Sequence, residues 1–246
     1  MSLYGLVGKS LSHSFSPAFF KSFFLEKGLE NEHSYSLFEC ADIDEVRSLF
    51  ERTDLAGLNV TFPYKRLVVP LLDELSPTVK SLQAVNTVAF LANGKRMGYN
   101  TDVTGFELVL EELLGKRKCQ KAVILGAGGA AHAVRLVLEL KDIEVLIVSR
   151  SSIPSIHELP PSVFQDADII VNCTPLGTYP EIEGLPDIPY QGLHKGQFAI
   201  DLVYNPPETA FLKKCKQAGC TTINGQKMLE EQARASWIIW EMHRQV

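Results

Sequence analysis

The stretch KAVILGAGGAA, residues 121–131, decides the fold of the second half of the chain. It begins with a short apolar run that is typical of a buried strand, and a helical pattern follows its glycines directly. Gly126, Gly128 and Ala131 take the three small positions of the GxGxxG/A pattern. In that pattern the first glycine permits a tight turn, and the second lets a pyrophosphate approach the backbone at a helix N-terminus. The stretch therefore predicts a dinucleotide-binding loop, with a purely structural glycine turn as the alternative.

The end of the next predicted strand, 143–149, indicates which dinucleotide is preferred. Folds that bind NAD usually place an acidic residue there, where it accepts a hydrogen bond from the ribose 2′-OH. Here the strand ends in Ser149, Arg150 and Ser151, with no acid. A guanidinium can bind a 2′-phosphate through two parallel hydrogen bonds, and serines can donate to it. The sequence favours NADP, and the alternative for Arg150 is an ordinary solvated charge.

Short apolar runs alternate with helical patterns along the whole chain, which predicts an α/β protein. In the second half the expected order is a strand at 121–126, a helix at 129–140 and strands at 143–149, 167–172 and 197–203. This alternation predicts a parallel, Rossmann-type sheet. In the first half we expect strands at 3–8, 33–38 and 57–62, helices at 17–27, 43–52 and near 66–82, and a hairpin of 86–91 with 95–99 across Asn93-Gly94.

Two domains are expected from this order. The first, residues 1–101, is a mixed-sheet α/β domain, and the second, residues 102–226, is the dinucleotide-binding domain. The boundary falls at the helix that starts near Asp102, before the basic segment GKRKCQK. The last helix, about 227–246, carries apolar residues on two adjoining tracks, so we expect it to be mostly buried and to return to the first domain.

Composition limits the classes of function. With 246 residues, 46% hydrophobic and 22% charged, the chain has the profile of a soluble globular protein. A net charge of −5 without a basic block argues against nucleic acid as a partner. We find no signal peptide and no run of roughly 18 apolar residues that could span a membrane. The five cysteines are scattered and the histidines lack metal-binding spacing, so we expect a reducing cytoplasm and no metal.

The first half carries polar residues at the edges of apolar elements, where α/β proteins place ligand sites. Asn59 and Thr61 are expected on one face of the same strand, and Lys65 follows just beyond it. Asn86 and Asp102 stand at the ends of later elements. Each has an ordinary alternative: a turn for Asn86, a helix cap for Asp102 and a solvated amine for Lys65. Their joint occurrence beside a dinucleotide domain favours a binding site.

Two further features point to a polar ligand. In SHSFSP, residues 12–17, Ser16 is expected to cap a helix that begins at Pro17. Ser14 and Ser16 lie two residues apart and could present two donors to one carboxylate near that helix N-terminus; the alternative is helix capping alone. In the last helix, Gln232 projects from an apolar arc, and a buried amide there needs hydrogen-bonding partners.

The ordered motifs resemble those of the shikimate dehydrogenase family over nearly the whole chain. They are the SxS of Ser14 and Ser16, NVTFPYK at 59–65, AVNT at 84–87, GYNTD at 98–102, GAGGAA at 126–131, NCTPLGTYP at 172–180, DLVYNP at 201–206 and GQKMLEEQA at 225–233. The resemblance implies reduction of 3-dehydroshikimate to shikimate with NADPH, in aromatic amino-acid biosynthesis, with the substrate held between the two domains. It implies a small-molecule substrate as the partner and a monomer or homodimer.

The resemblance also implies a role for each site residue. Lys65 and Asp102 would form the catalytic pair. The substrate ligands would be Ser14 and Ser16 on the carboxylate, Asn59, Thr61, Asn86, Asp102 and Gln232 on the ring hydroxyls, and Tyr204 as a further contact. The cofactor ligands would be Gly126, Ala127, Gly128, Gly129, Ala130, Ala131, Ser149, Arg150, Ser151, Thr174, Leu202, Gly225 and Met228. The alternatives are a quinate/shikimate dehydrogenase that uses NAD, and a catalytically silent regulator that binds the cofactor.

Overall fold

The chain is described by a computed structural model for residues 1–12, 14–151 and 155–244. It forms two compact units. Unit 1 comprises Met1–Thr101 together with the last helix from Gln232 onward, and unit 2 comprises Asp102–Glu231. In the described ranges, no helix is long and apolar enough to cross a membrane.

Unit 1 contains a mixed sheet. Its elements are β1 (Ser2–Gly8), α1 (Ser16–Lys27), β2 (His33–Glu39), α2 (Ile43–Phe50), β3 (Leu55–Val60), a 3-10 turn (Val69–Leu71), β4 (Glu74–Leu75), α3 (Pro77–Leu82), β5 (Thr87–Phe90) and β6 (Arg96–Tyr99). The strand order is β2-β1-β3-β5-β6-β4. Strand β1 is parallel to β2 and β3, whereas β5 is antiparallel to β3 and β6.

The helices expected near 66–82 are found only in part, and a short strand separates them. The chain forms the 3-10 turn at Val69–Leu71, then the short strand β4, and only then the helix Pro77–Leu82. Pro70 lacks the N–H that a continuous helix needs, and Pro77 is suited to the first turn of a new helix, which Ser76 caps. Strand β4 pairs with β6, a tertiary contact that local patterns do not show.

The strand expected at 57–62 lies two residues earlier, at Leu55–Val60. Thr61 therefore follows the strand and is not one pleat from Asn59 within it, although its N–H still donates to the carbonyl of Val7 at 2.9 Å. Pro63, two residues later, has no N–H to extend the ladder. The hairpin between β5 and β6 is confirmed; the bond from Leu91 N–H to the Lys95 carbonyl at 2.8 Å closes the turn that contains Asn93 and Gly94.

Unit 2 contains a sheet whose described strands are all parallel. Its elements are α4 (Thr101–Leu114), β7 (Lys121–Leu125), α5 (Gly129–Leu140), β8 (Glu144–Val148), α6 (Pro161–Gln165), β9 (Ile169–Asn172), β10 (Phe198–Asp201), α7 (Ala210–Gln217), β11 (Thr221–Ile223) and the start of α8 (Gln226–Arg244). The strand order β11-β10-β9-β7-β8 reverses direction between β7 and β9. In such sheets ligands bind beyond the carboxyl ends of the strands at this reversal. The predicted α/β class with a mixed and a Rossmann-type sheet is confirmed.

The sheet of unit 2 is covered on both faces, as its alternating side chains require. Along β7, Ala122 and Ile124 join the core beneath α4 and α5, whereas Val123 and Leu125 join the core beneath α6 and α7. This packing fixes β7 in place, and the glycine loop that follows it starts from a rigid strand end.

In unit 1 an aromatic cluster joins α1 to the last helix. Tyr4, Phe20, Trp237 and Trp240 pack together, and the Trp240 indole donates to the carbonyl of Val88 on β5 at 3.0 Å. The other part of α8 lies in unit 2, where it adds to the core of that unit. Helix α8 therefore supplies side chains to two separate cores.

Candidate active site

Asn59 is the centre of a buried polar cluster in unit 1. It lies on β3 with only 5% of its surface exposed. Its Nδ2 donates to Ser236 Oγ at 2.9 Å and to the backbone carbonyl of Asn86 at 3.2 Å. Its Oδ1 accepts from the hydroxyl of Tyr35 at 2.8 Å. The cluster thus joins β2, β3, the start of β5 and the last helix through a single amide.

Asn86 is the second amide of this cluster, and its oxygen is occupied by the protein. Its Oδ1 accepts from the backbone N–H of Thr101 at 2.7 Å and from the hydroxyls of Thr101 and Thr87, each at 3.1 Å. A ligand of Asn86 therefore has to accept from Nδ2. Asp102 follows Thr101 in the first turn of α4 and is 7% exposed. Its carboxylate lies where the partial positive charge of a helix N-terminus stabilises an anion.

The last helix brings Gln232 and Ser236 to the cluster. Ser236 is fully buried, donates to the backbone carbonyl of Gln232 at 2.9 Å and lies 2.8 Å from Thr87 Oγ1. Gln232 is partly buried, and its Oε1 lies 3.5 Å from Thr101 Oγ1. This contact gives the Gln232 amide a partner within the protein, and its role as a substrate ligand stays a prediction.

Lys65 is held next to the cluster by its backbone. The preceding residue, Tyr64, is buried and donates its hydroxyl to the carbonyl of Cys40 at 2.6 Å. The carbonyl of Lys65 accepts from Val85 N–H at 2.7 Å, and Val85 directly precedes Asn86. Lys65 and Thr61 are both partly exposed, so a ligand can reach them.

The expectation that Ser16 caps the first helix was wrong. Helix α1 begins at Ser16 itself, and Phe15 occupies the N-cap position with helical angles and no side-chain cap. The reason is that Phe15 already accepts the first helical bond, from Phe19 N–H at 3.1 Å. Ser14 Oγ accepts from the backbone N–H of Ser16 at 3.3 Å, and Ser16 lies near the Tyr35 hydroxyl. Both serines thus lie at the N-terminal end of α1, as the carboxylate hypothesis requires.

In unit 2, the glycine loop has the geometry that a pyrophosphate needs. Gly126 has a φ of 104° and its N–H donates to the carbonyl of Val148 at 2.7 Å. A side chain there would come within 3.2 Å of the backbone of Cys173. Gly128 is the N-cap of α5 with no side-chain cap, and a Cβ on it would meet open space. The N-terminus of α5 therefore has no side-chain cap on its first N–H groups, and the space at Gly128 is open, as phosphate binding there would require.

The end of β8 carries the three residues expected to bind a 2′-phosphate. The Ser149 and Ser151 hydroxyls lie 3.2 Å apart, and Ser149 Oγ accepts from Ser151 N–H at 3.3 Å. Arg150 between them is exposed. This arrangement presents two hydroxyls and a guanidinium on one turn, and no acidic side chain occurs among 149–151.

A buried carboxylate organises the carboxyl ends of β9 and β10. Asp201 is fully buried and accepts from Asn172 Nδ2 at 2.9 Å, Val203 N–H at 3.0 Å and Thr209 Oγ1 at 2.5 Å. Burial raises its pKa to about 6. Asn172 in turn accepts from the hydroxyl of Thr174 at 2.6 Å. The network fixes the loops after both strands, where a Rossmann-type sheet binds its ligand.

The remaining predicted cofactor residues lie in this unit as well. The N–H of Gly225 donates to the carbonyl of Val203 at 3.1 Å, and a Cβ at Gly225 would overlap the carbonyl of Leu202. Met228 is 8% exposed and belongs to the core beside α4 and α5. Tyr204, predicted as a substrate contact, is partly exposed just after β10.

Sequence reasoning missed three groups that orient the site residues: Tyr35, Ser236 and the carboxylate of Asp201. Ser236 could have been found, because it stands four residues after Gln232 on the buried side of the same helix. Tyr35 gave no signal, since tyrosine is common in strands. In the parts of the chain that the structure describes, no group of three His, Cys, Asp or Glu side chains could hold a metal ion.

Comparison with known proteins agrees with these features. Residues 6–88 match the family described as the shikimate dehydrogenase substrate binding domain. The shikimate dehydrogenase (NADP(+)) of Pelagibacter ubique is 33% identical over 96% of this chain and 91% of its own. A Thermus thermophilus shikimate 5-dehydrogenase, solved with NADP(H) and shikimate, superposes with a TM-score of 0.86 at 30% identity, over 98% of this chain and 93% of its own.

A quinate dehydrogenase from Corynebacterium glutamicum, solved with NAD, has the same TM-score of 0.86 at 30% identity and covers 97% of this chain and 93% of its own. The likeness therefore extends to a relative named for quinate and NAD, whereas the Thermus thermophilus structure is named for shikimate and NADP(H). In sequence, in fold and in the order of its motifs, the chain belongs to the shikimate dehydrogenase family.

Proposed function

We propose that the chain catalyses the reversible, NADP-dependent reduction of 3-dehydroshikimate to shikimate, with Lys65 and Asp102 as its catalytic pair. The observation that carries this proposal is the position of Lys65. Its backbone is bonded to Val85, one residue before Asn86, whose amide belongs to the buried polar cluster. The backbone that carries this lysine is thus anchored next to amides that suit the hydroxyls of a cyclic polyol.

The role of Lys65 follows from the charge that develops during carbonyl reduction. As the C3 carbonyl becomes an alkoxide, a nearby ammonium stabilises the negative charge and can donate a proton to it. Asp102, the second member of the proposed pair, accepts from a substrate hydroxyl. Asn59, Thr61, Asn86 and Gln232 bind the ring hydroxyls, and Tyr204 adds a contact.

The substrate carboxylate binds at the start of α1. Ser14 and Ser16 supply hydroxyl donors, and the N-terminus of this 12-residue helix adds its partial positive charge. We assign substrate binding to the domain expected at residues 1–101 with 227–246. We assign cofactor binding to the domain expected at residues 102–226.

The cofactor supplies the hydride, and unit 2 supplies its binding residues. The backbone from Gly126 to Ala131 binds the pyrophosphate, and Ser149, Arg150 and Ser151 bind the 2′-phosphate. Thr174, Leu202, Gly225 and Met228 surround the remaining parts of the dinucleotide. The support for this assignment is the uncapped N-terminus of α5 and the open space at Gly128.

The quinate dehydrogenase that superposes on this chain gives a second candidate, a quinate/shikimate dehydrogenase that uses NAD. The absence of an acid among residues 149–151 favours NADP instead. A silent regulator is less well supported, because Lys65 and Asp102 are both present. We also propose a cytoplasmic enzyme, in keeping with its five free cysteines, that works as a monomer or homodimer.

The test is a direct assay of the purified chain with shikimate and either NADP⁺ or NAD⁺, followed by absorbance at about 340 nm. We expect turnover with NADP⁺, and Lys65→Ala should reduce it about 10²- to 10⁴-fold, the usual scale for a general acid–base group. Lys80→Ala, which changes an exposed lysine of unit 1, is the matched control. Absence of turnover with either cofactor would overturn the activity, and a faster rate with NAD⁺ would overturn the choice of cofactor.

A further inference from the structure

The amide of Asn59 can adopt only one orientation in its surroundings. One of its neighbours is the backbone carbonyl of Asn86, which can only accept a hydrogen bond, so the amide nitrogen must face it at 3.2 Å. The same nitrogen donates to Ser236 Oγ at 2.9 Å. The oxygen is then turned towards Tyr35, whose hydroxyl donates to it at 2.8 Å. Both protons of the amide are taken by the protein, and the oxygen keeps one lone pair.

Tyr35 is held firmly enough to fix that oxygen. Its ring stacks on Phe20 with centroids 4.3 Å apart and an interplanar angle of 13°. Burial of its hydroxyl raises the pKa of Tyr35, so it stays a protonated donor. Because its single proton goes to Asn59 Oδ1, the Tyr35 hydroxyl can only accept from the nearby hydroxyl of Ser16.

The two serines at the start of α1 have different surroundings. Ser16 lies near the Tyr35 hydroxyl, whereas Ser14 accepts from the backbone N–H of Ser16 at 3.3 Å. Accepting that bond uses a lone pair of Ser14 and leaves its proton available for donation. Tyr35 thereby joins the end of the site assigned to the carboxylate to the amide assigned to a hydroxyl.

Ser236 holds the other end of the Asn59 amide. It is fully buried, and its proton goes to the backbone carbonyl of Gln232 at 2.9 Å. Its oxygen is then oriented to accept from Asn59 Nδ2. The nitrogen of Asn59 is therefore fixed by a residue of the last helix, and its oxygen by a residue of β2.

We propose that Tyr35 and Ser236 are positioning residues that lock the Asn59 amide so that it can only accept a hydrogen bond from a substrate hydroxyl. This inference rests on the proposed function, because it assigns an orientation to one of the proposed substrate ligands. Without Tyr35 the amide loses the donor that fixes its oxygen, and without Ser236 its nitrogen loses the nearest of its acceptors. In either variant the productive orientation is held less firmly, and substrate binding weakens.

The test is a double-mutant cycle on substrate binding. Tyr35→Phe removes only the hydroxyl and should raise the KM for shikimate about tenfold, the equivalent of one hydrogen bond, with the KM for NADP⁺ within about twofold of wild type. In an Asn59→Ala background the same change should alter the KM for shikimate by less than about twofold, because the residue it acts through is gone. Ser236→Ala should follow the same pattern, and shikimate affinity measured by calorimetry should parallel the KM values.

Tyr190→Phe is the matched control, since it removes a tyrosine hydroxyl that donates to the Pro186 carbonyl at 2.8 Å in unit 2. If Tyr35 has a merely structural role, Tyr35→Phe lowers the melting temperature and leaves the KM for shikimate unchanged, or it changes this KM equally in the wild-type and Asn59→Ala backgrounds. Either result overturns the inference. An active wild type with such a result overturns this inference alone. A wild type that neither turns over nor binds shikimate overturns the proposed function together with it.

Discussion

Replacing Asp201 with asparagine removes a buried charge while the shape of the side chain is kept. Burial raises the pKa of this carboxyl from its ordinary value of 3.8 to about 6. Between these values the folded chain keeps a proton that the unfolded chain has released, so the free energy of unfolding falls as pH rises. At about 1.4 kcal/mol per pKa unit, the loss amounts to roughly 3 kcal/mol by neutral pH.

Asparagine at this position does not titrate, and it can keep most of the hydrogen bonds. Its Oδ1 can still accept from Asn172 Nδ2 and Val203 N–H, which lie 2.9 and 3.0 Å from the Asp201 oxygen. Its Nδ2 would face the hydroxyl of Thr209, which can accept as well as donate. The difference in free energy of unfolding, wild type minus variant, should therefore fall by roughly 2 kcal/mol between about pH 4.5 and about pH 7.5.

The assay is urea denaturation of wild type and Asp201→Asn at both pH values and constant ionic strength, followed by circular dichroism. Asp142→Asn, which changes an exposed aspartate of the same unit, is the control for the loss of one carboxylate. A difference that stays constant across this range refutes the raised pKa. A difference that grows with pH would mean that the charged form of Asp201 stabilises the folded chain.

Three other changes test separate parts of the structure. His33 accepts from Arg244 at 2.7 Å, and burial lowers the pKa of His33, so the melting temperature should decrease as pH falls below about 6.5. His33→Gln should make the melting temperature depend less on pH; an equally steep decrease in the variant would show that His33 is not its cause. Arg150→Ala should raise the KM for NADP⁺ about tenfold or more and leave the KM for NAD⁺ within about twofold of wild type, because a charge-assisted bond to the 2′-phosphate is lost. Equal changes in the two KM values would count against a contact between Arg150 and the 2′-phosphate. Gly225→Ala would press a methyl group against the carbonyl of Leu202 and should cost about 1–3 kcal/mol in chemical denaturation, so wild-type stability would show that the loop can relax.

The elements that sequence predicted best are those that depend on neighbouring residues alone. The strand Lys121–Leu125 and the helix Gly129–Leu140 were predicted within one residue, because apolar periodicity and glycine spacing act locally. In the segment 66–82, the short strand β4 was missed because it exists only through pairing with β6, a partner about twenty residues further along the chain. Local patterns cannot report such pairing.

The candidate site shows the same division. Asn59, Asn86 and Gln232 could be selected because amides are unusual among apolar neighbours and demand partners. The groups that orient them, Tyr35 and Ser236, are ordinary residues for a strand and a helix. Their importance arises from the packing of the last helix against β3 and β5, which no single stretch of sequence encodes.

The position of the last helix also determines when each unit can complete its fold. The residues of unit 2 are continuous in the chain, whereas unit 1 receives its final segment only after all of unit 2 has been synthesised. Until Trp237 and Trp240 arrive, Tyr4 and Phe20 lack two of the aromatic partners that cover them. During translation, unit 2 is therefore the first part with a complete core, and the N-terminal segment waits with apolar surface exposed. Nascent chains of this protein should be most prone to aggregation, and most dependent on chaperones, in that interval.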